Sequence, residues 1–454
     1  MTAAEGTRTM DTTRQLARHV LAAWLDDVPD DVRHEARRAL VNFVGCALGG
    51  STHSAMDIAI RALGPYTGLP TAIAIGRAER YDPLFASLLN GISSHVHDYD
   101  DTTPANYIHP TSPVASALFA YASVTPVRGD DFLNAFILGF DVVSRIGNAT
   151  YPAHYDAGWH STGSVGVFGA AVAVGRLLGL TEEQMVWAIG LAATQAAGIR
   201  EMFGSMAKSF HPGRSAQSGY MAALLAREGF TSGVHGLEGP RGFAAVLSAR
   251  YDLSKVTDGL GTDYELRVNT YKPFPCGIVT HPTIDACIQL RAEHAIDAAD
   301  VDAVRLRVAP LVKDLCDKKH ISRGLEGKFS AYHAAAIGLG RGRAGLAEFS
   351  DEAVNDPLLR GLRERVESIG DPAVSEDGVV VEVTLKDGRT LTKVLEASIG
   401  NLKRPLTDAQ LETKFRDQAT VLPADRVDAL IARCWTIDGL DDVGPLLALA
   451  VPAA

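Results

Sequence analysis

The sequence predicts a mostly α protein with an α+β second domain: a large all-helical domain and a smaller α/β one. Apolar residues recur at helical spacing from about Asp11 to about Leu260. Alternating β-branched residues appear only after Tyr271, and helical signals return at Thr407. The ranges that follow are 1–268 for the first helical part, 269–398 for the α/β domain and 399–454 for a helical C-terminal segment.

In chain order, Phe43, Val44, Ala47 and Leu48 form an apolar helical stripe that Gly49-Gly50 ends. Leu84, Phe85, Leu88, Leu89, Ile92 and Val96 form another, with Pro83 suited to its first turn. Phe132, Phe136, Gly139, Val142 and Val143 continue the series. Small residues at Gly166, Gly169, Ala170 and Ala173 would let helices approach closely. Beyond Tyr271, Val304, Leu306 and Val308 alternate as strand residues do. Residues 379–385 are β-branched-rich, and Asp387-Gly388 reads as the type I′ turn of a hairpin. Thr407 and Gln410 fit a capping box, with Leu406 and Leu411 as its hydrophobic staple.

The 454 residues exceed one ordinary domain, and 46% hydrophobic content suffices for a large core, which excludes disordered and fibrous classes. A net charge of −11 with no basic patch makes nucleic acid a poor partner, and an anionic ligand would need a local cluster of cations. Cys46, Cys276, Cys287, Cys316 and Cys434 form no CxxC pair. They read as reduced thiols of a cytoplasmic protein and argue against an iron–sulfur cluster. Residues 1–20 carry no apolar signal core, and the longest apolar run, 164–175, is too short to cross a bilayer, so no membrane association is expected.

Five segments carry candidate chemistry. His95-Val96-His97-Asp98-Tyr99-Asp100-Asp101-Thr102, with His109-Pro110, places three carboxylates at a helix C-terminus, where the dipole disfavours them. It reads as a solvated turn, a general acid/base cluster or a divalent-metal site like that of helical metal-dependent hydrolases. His160 lies beside Trp159, either as a core histidine or as a site residue, and Gly163 opens a helix whose amides could meet an anion. Lys208, His211 and Arg214 fall within seven residues, with Ser215 able to cap a following helix. They read as an exposed basic turn or an anion site. Lys272-Pro273-Phe274-Pro275-Cys276 is a stiff connector leading to His281, near a helix N-terminus that favours neutral imidazole. Lys328-Phe329-Ser330-Ala331-Tyr332-His333 is polar and aromatic at a helix start.

Together these motifs resemble the 2-methylcitrate dehydratase family (MmgE/PrpD), which also includes cis-aconitate decarboxylases and an iminodisuccinate epimerase. The matching residues are His97 to Thr102, His109-Pro110, Gly158 to Gly163, Lys208 with His211 to Arg214, Lys272 to Cys276 and His281-Pro282. The resemblance implies a helical domain built from both chain ends, an α/β lid, a homodimer and a cofactor-free, metal-free site between lid and body. It implies catalytic roles for Asp98, His109, His160, Lys208 and His281. Substrate contacts would come from Thr102, His211, Arg214, Lys272 and His333, the last replacing a tyrosine of many members. The activity it implies is dehydration of a citrate-like tricarboxylate, with decarboxylation or epimerisation on the same scaffold as alternatives. In that scheme Asp98 would be raised in pKa by Asp100 and Asp101 and exchange protons near neutrality, while protonated His109 or His160 would stabilise charge.

Overall fold

The structure, a computed structural model, describes residues 11–453. The opening ten residues, part of the stretch read above for a secretory signal, lie outside that range. The helical expectation holds over the described residues of the first part, whose elements are helices apart from the two-residue strands Ala72–Ile73, Arg80–Tyr81 and Asp101–Thr102. The stripes become helices Asp30–Gly50, Pro83–His95, Gly129–Thr150 and Ser161–Leu177, joined by Thr111–Ala122, Glu182–Ala193 and Ala207–Arg227. One apolar core unites these helices with the C-terminal helices Asp408–Gln418 and Ala424–Trp435. The chain therefore returns to its first half after completing the smaller domain.

Local chemistry accounts for the helix boundaries. Asp82 caps Pro83–His95 by accepting from the amides of Leu84 and Phe85 at 3.0 and 3.1 Å. Thr407 and Gln410 form the reciprocal capping box of Asp408–Gln418. Small residues set the interhelical distances. A Cβ on Gly169 would lie 2.5 Å from the Gly139 carbonyl, so Gly129–Thr150 and Ser161–Leu177 touch through backbone.

The smaller domain has its own core and a four-stranded mixed sheet, in the order Val366–Gly370, Val301–Val308, Val379–Leu385, Thr390–Leu395. The first pair is parallel and the others antiparallel. Helices His281–His294 and Ala331–Arg341 pack against each other beside this sheet. One local expectation fails. A type I′ turn needs positive φ at both central residues, and only Gly388 has it, at 88°. The Gly388 amide donates to the Leu385 carbonyl and Leu385 to that of Arg389, making a three-residue loop over 386–388 with glycine in the left-handed place.

A two-residue pairing joins the domains' polar segments: Asp101 faces Tyr271 and Thr102 faces Thr270. It ties the acidic loop to the connector. Among the described residues, no helix is long and apolar enough to cross a membrane.

Candidate active site

Backbone contact between two helices assembles the site. A Cβ on Gly91 would sit 2.3 Å from the Gly213 Cα, so Pro83–His95 and Ala207–Arg227 cross at van der Waals distance. That crossing brings the C-terminal end of one helix, His95, beside the first turn of the other, which carries Lys208. The second helix starts at Ala207, earlier than Ser215 as expected from sequence. Ser215 is therefore interior and donates to the Gly163 carbonyl at 2.5 Å. The Gly163 amide is not free for an anion, because it donates to the His160 carbonyl at 2.8 Å.

Asp98 occupies the centre. It is buried, and one carboxylate oxygen, Oδ1, accepts from both Lys208 Nζ and Lys272 Nζ at 2.6 Å. Burial alone would raise this carboxyl, but the ammonium groups of Lys208 and Lys272 hold it well below the usual carboxylate range. The expected upward shift of Asp98 is thus reversed, because its nearest charges are cations. The upward shift belongs to Asp101, raised to about 7 by burial and by Asp100. Asp101 Oδ2 accepts from Thr111 and Asn269 at 2.6 and 3.0 Å.

Four histidines surround this pair. His109 Nδ1 lies 2.8 Å from the Asp101 carbonyl, 3.2 Å from Thr102 Oγ1 and 3.3 Å from Asp100 Oδ1. The shortest contact assigns the Nδ1 proton to the carbonyl and leaves Nε2 as a lone pair, 3.9 Å from Asp98 Oδ1. His95 Nδ1 meets Asp100 Oδ2 at 2.8 Å, and His160 and His211 share a proton between their Nδ1 atoms at 2.8 Å. Burial lowers all four pKa values, His95 and His211 to about 4 and His160 well below its ordinary value. Burial thus works against the protonated His109 or His160 expected from sequence. Among the described residues, five buried polar atoms of this cluster have no hydrogen-bond partner: His95 Nε2, His160 Nε2, Asp98 Oδ2, Asp100 Oδ1 and Asp101 Oδ1.

A cavity of about 40 Å³ opens on Asp98, Thr102, His109, His160, Lys208 and Lys272, between body and lid. Phe203, Phe329, Leu315, Ile278 and Val279 also line it, and the Phe203 ring meets the His160 ring edge-on with centroids 5.0 Å apart. Lys208 Nζ lies 5.3 and 5.2 Å from the ring centres of Phe203 and Phe329. A second cavity of about 100 Å³ shares the Lys272 wall and contains His281, whose Nε2 is 3.3 Å from the Cys276 carbonyl and whose pKa burial lowers to about 3. Three expected substrate contacts line neither cavity: Arg214, His333 and His211, the last bonded to His160. Arg214 is exposed and bonds Gln217 at 2.6 Å. His333 is fully buried in the lid core, with Nε2 2.9 Å from the Glu348 carbonyl and Nδ1 3.3 Å from Arg363.

Sequence reasoning quoted His95 without a role of its own and cast Asp100 only as a charge that raises Asp98. It missed Tyr107, which lines both cavities, and Lys414. Lys328, marked only as part of a polar helix start, bonds the acidic loop. Two overlapping ligand sets, His95/His109/His160 and His95/Asp98/Asp100/His109, bring donor atoms within 4.8 Å of one another, as a metal site would need. Two lysine ammonium groups on Asp98 Oδ1 oppose a divalent cation there and suit an anion.

Fold and site together define a two-domain, mainly helical protein with a buried, cation-rich acid–base cluster between its domains. The chain belongs to the MmgE/PrpD family: residues 14–255 match the MmgE/PrpD N-terminal domain and residues 274–437 the C-terminal domain. It is 28% identical to the cis-aconitate decarboxylase of Homo sapiens, over 92% of this chain and 90% of the relative. For the cis-aconitate decarboxylase of Aspergillus terreus the identity is 26%, over 93% and 92%. The 2-methylcitrate dehydratase of Cupriavidus necator is 25% identical, over 87% and 88%.

Proposed function

We propose that this protein is a cofactor-independent lyase that decarboxylates cis-aconitate or a closely similar unsaturated tricarboxylate. The observation that carries this reading is a cavity lined by Lys208, Lys272, His109 and His160 together with Phe203, Phe329 and Leu315. The cations suit the retained carboxylates. The apolar side chains suit the departing one, since a desolvated carboxylate gains by leaving as neutral carbon dioxide. As that carbon–carbon bond breaks, its electron pair enters the allylic system and spreads onto a retained carboxylate, which Lys208 and Lys272 stabilise. A proton must then reach carbon. A bound polyanion raises the depressed histidine pKa values, so His109 takes up a proton through Nε2 as substrate enters and delivers it. Asp98, held ionised, aligns the two lysines.

The decarboxylase relatives support this order of preference over the dehydration favoured from sequence. Dehydration of a 2-methylcitrate-like hydroxy acid is the second reading, favoured by the dehydratase relatives and by His281 beside Lys272 in the adjoining cavity. We also propose a homodimer, testable as a doubling of the 48.3 kDa chain mass by light scattering.

The functional test follows ultraviolet absorbance and carbon dioxide release with cis-aconitate, 2-methylcitrate and citrate, each with and without chelator. Loss of cis-aconitate absorbance with matching gas release, unaffected by chelator, is expected. A rise in absorbance from the hydroxy acids would replace decarboxylation with dehydration. Chelator-sensitive turnover would sink both and revive a metal-dependent hydrolase.

A further inference from the structure

Asp98 has φ 52°, left-handed backbone that residues with a Cβ seldom adopt. Strain of this kind persists only where the surroundings enforce it. Here three successive carbonyls are each held by a different buried lysine. Lys328 Nζ donates to His97 O at 2.7 Å, Lys272 Nζ to Asp98 O at 3.3 Å and Lys414 Nζ to Tyr99 O at 2.5 Å. Lys328 comes from the lid and also donates to the Pro275 carbonyl at 2.7 Å. Lys414 comes from the C-terminal helix Asp408–Gln418. It also donates to the Lys272 carbonyl and to Asn42 Oδ1, at 2.8 and 2.7 Å. Its ammonium lies 4.0 Å from the Tyr99 ring centre.

Among the described residues, neither Lys328 nor Lys414 lines the cavity or forms an ion pair with a carboxylate. Burying an ammonium against neutral carbonyls is a poor way to build a core, where methionine or leucine would serve better. We infer that Lys328 and Lys414 are positioning residues: they grip the carbonyls on either side of Asp98, hold its left-handed backbone and aim its unpartnered Oδ2 at the cavity. Lys414 fixes the Lys272 segment with the same nitrogen, so one residue sets the spacing of the central ion pair. The clamp is complete only when lid, connector and C-terminal return are all in place.

Hydrogen exchange of the full chain tests the clamp without reference to turnover. In Lys328→Met and Lys414→Met, amides of residues 96–102 should exchange at least tenfold faster, with protection elsewhere unchanged. The kinetic half rests on the proposed lyase reading: kcat should fall at least tenfold while KM stays within threefold, because Lys208 and Lys272 remain. Lys328→Gln and Lys414→Gln, which keep a donor, should give intermediate values and serve where a methionine variant fails to fold. Wild-type exchange in 96–102, or loss of protection spread evenly over the molecule, would overturn the inference. A wild-type protein inert toward every tricarboxylate would overturn the lyase reading, and the exchange result would still decide the clamp.

Discussion

The seam around Asp98 and the lid core around His333 look alike in sequence, each a histidine among aromatic and charged residues, yet the structure treats them oppositely. At His333 both ring nitrogens have partners, Glu348 O and Arg363, and the ring packs against Phe349. In the seam, among the described residues, five buried polar atoms have no hydrogen-bond partner, and two of their residues, Asp98 and His160, line a cavity. A buried polar group without a partner carries a desolvation cost that a purely structural site has every reason to remove. Unmet hydrogen-bonding capacity gathered beside a cavity and two lysines, more than burial or residue type, separates this seam from the well-packed histidine of the lid.

The comparison breaks most sharply at Lys208. Lys208→Met keeps the side-chain volume but removes one of two ammonium groups on Asp98 and on the substrate carboxylates. Turnover should fall by about a hundredfold to a thousandfold, the loss typical of removing one preorganised electrostatic group. Initial rates on the substrate found active would measure it. A change below threefold would mean that the cavity is not where the chemistry happens.

How far the sequence revealed this contrast depends on which property is asked for. Periodicity exposed the long helices because each buries one stripe, and alternation exposed Val301–Val308 because one sheet face is covered. The pairing of 101–102 with 270–271 was not legible, since two residues carry no period. Motifs found Asp98, His109, His160 and Lys208 but could not orient them. The charge on Asp98 depends on Lys272, which is 174 residues away in the chain. Lys414 left no local signal, because its partners are backbone carbonyls from distant segments.

Acid should sharpen the contrast next. His95, His211 and His333 titrate near 4 and His281 near 3 in the folded chain, below the ordinary 6.5, because burial disfavours their charge. Between pH 6.5 and about 4 the unfolded chain therefore binds more protons, so stability should fall as pH falls through that window. Asp101, raised to about 7, acts oppositely over the same range, but four groups outweigh one. Melting temperature against pH measures the net slope. A bound, unreactive tricarboxylate should flatten it by stabilising protonated seam histidines, whereas His333 should respond only to pH. A slope unchanged by such a ligand would show that the seam is not an anion site.

His333→Leu is a smaller perturbation. It leaves the Glu348 carbonyl and the Arg363 guanidinium each short of one contact, at a cost of about 1–3 kcal/mol in stability. Denaturant midpoints should register that loss, while kcat and KM at saturating stability stay within twofold. A large change in KM would return His333 to the substrate-facing role expected from sequence.

Arg214→Ala should do least, and the reason is helical geometry. Successive residues turn by about 100°. Lys208, His211 and Ser215 therefore share the buried face of Ala207–Arg227, whereas Arg214 points to solvent. Read as a loop ahead of a helix starting at Ser215, the three cations would converge. Inside a helix that starts at Ala207, they cannot. Stability should stay within about 0.5 kcal/mol of wild type, as for other surface substitutions, and KM within twofold. If Arg214→Ala weakened substrate binding as much as Lys208→Met, the helix would have to begin later, as sequence had suggested. The Gly91–Gly213 crossing that builds the seam would then be wrong as well.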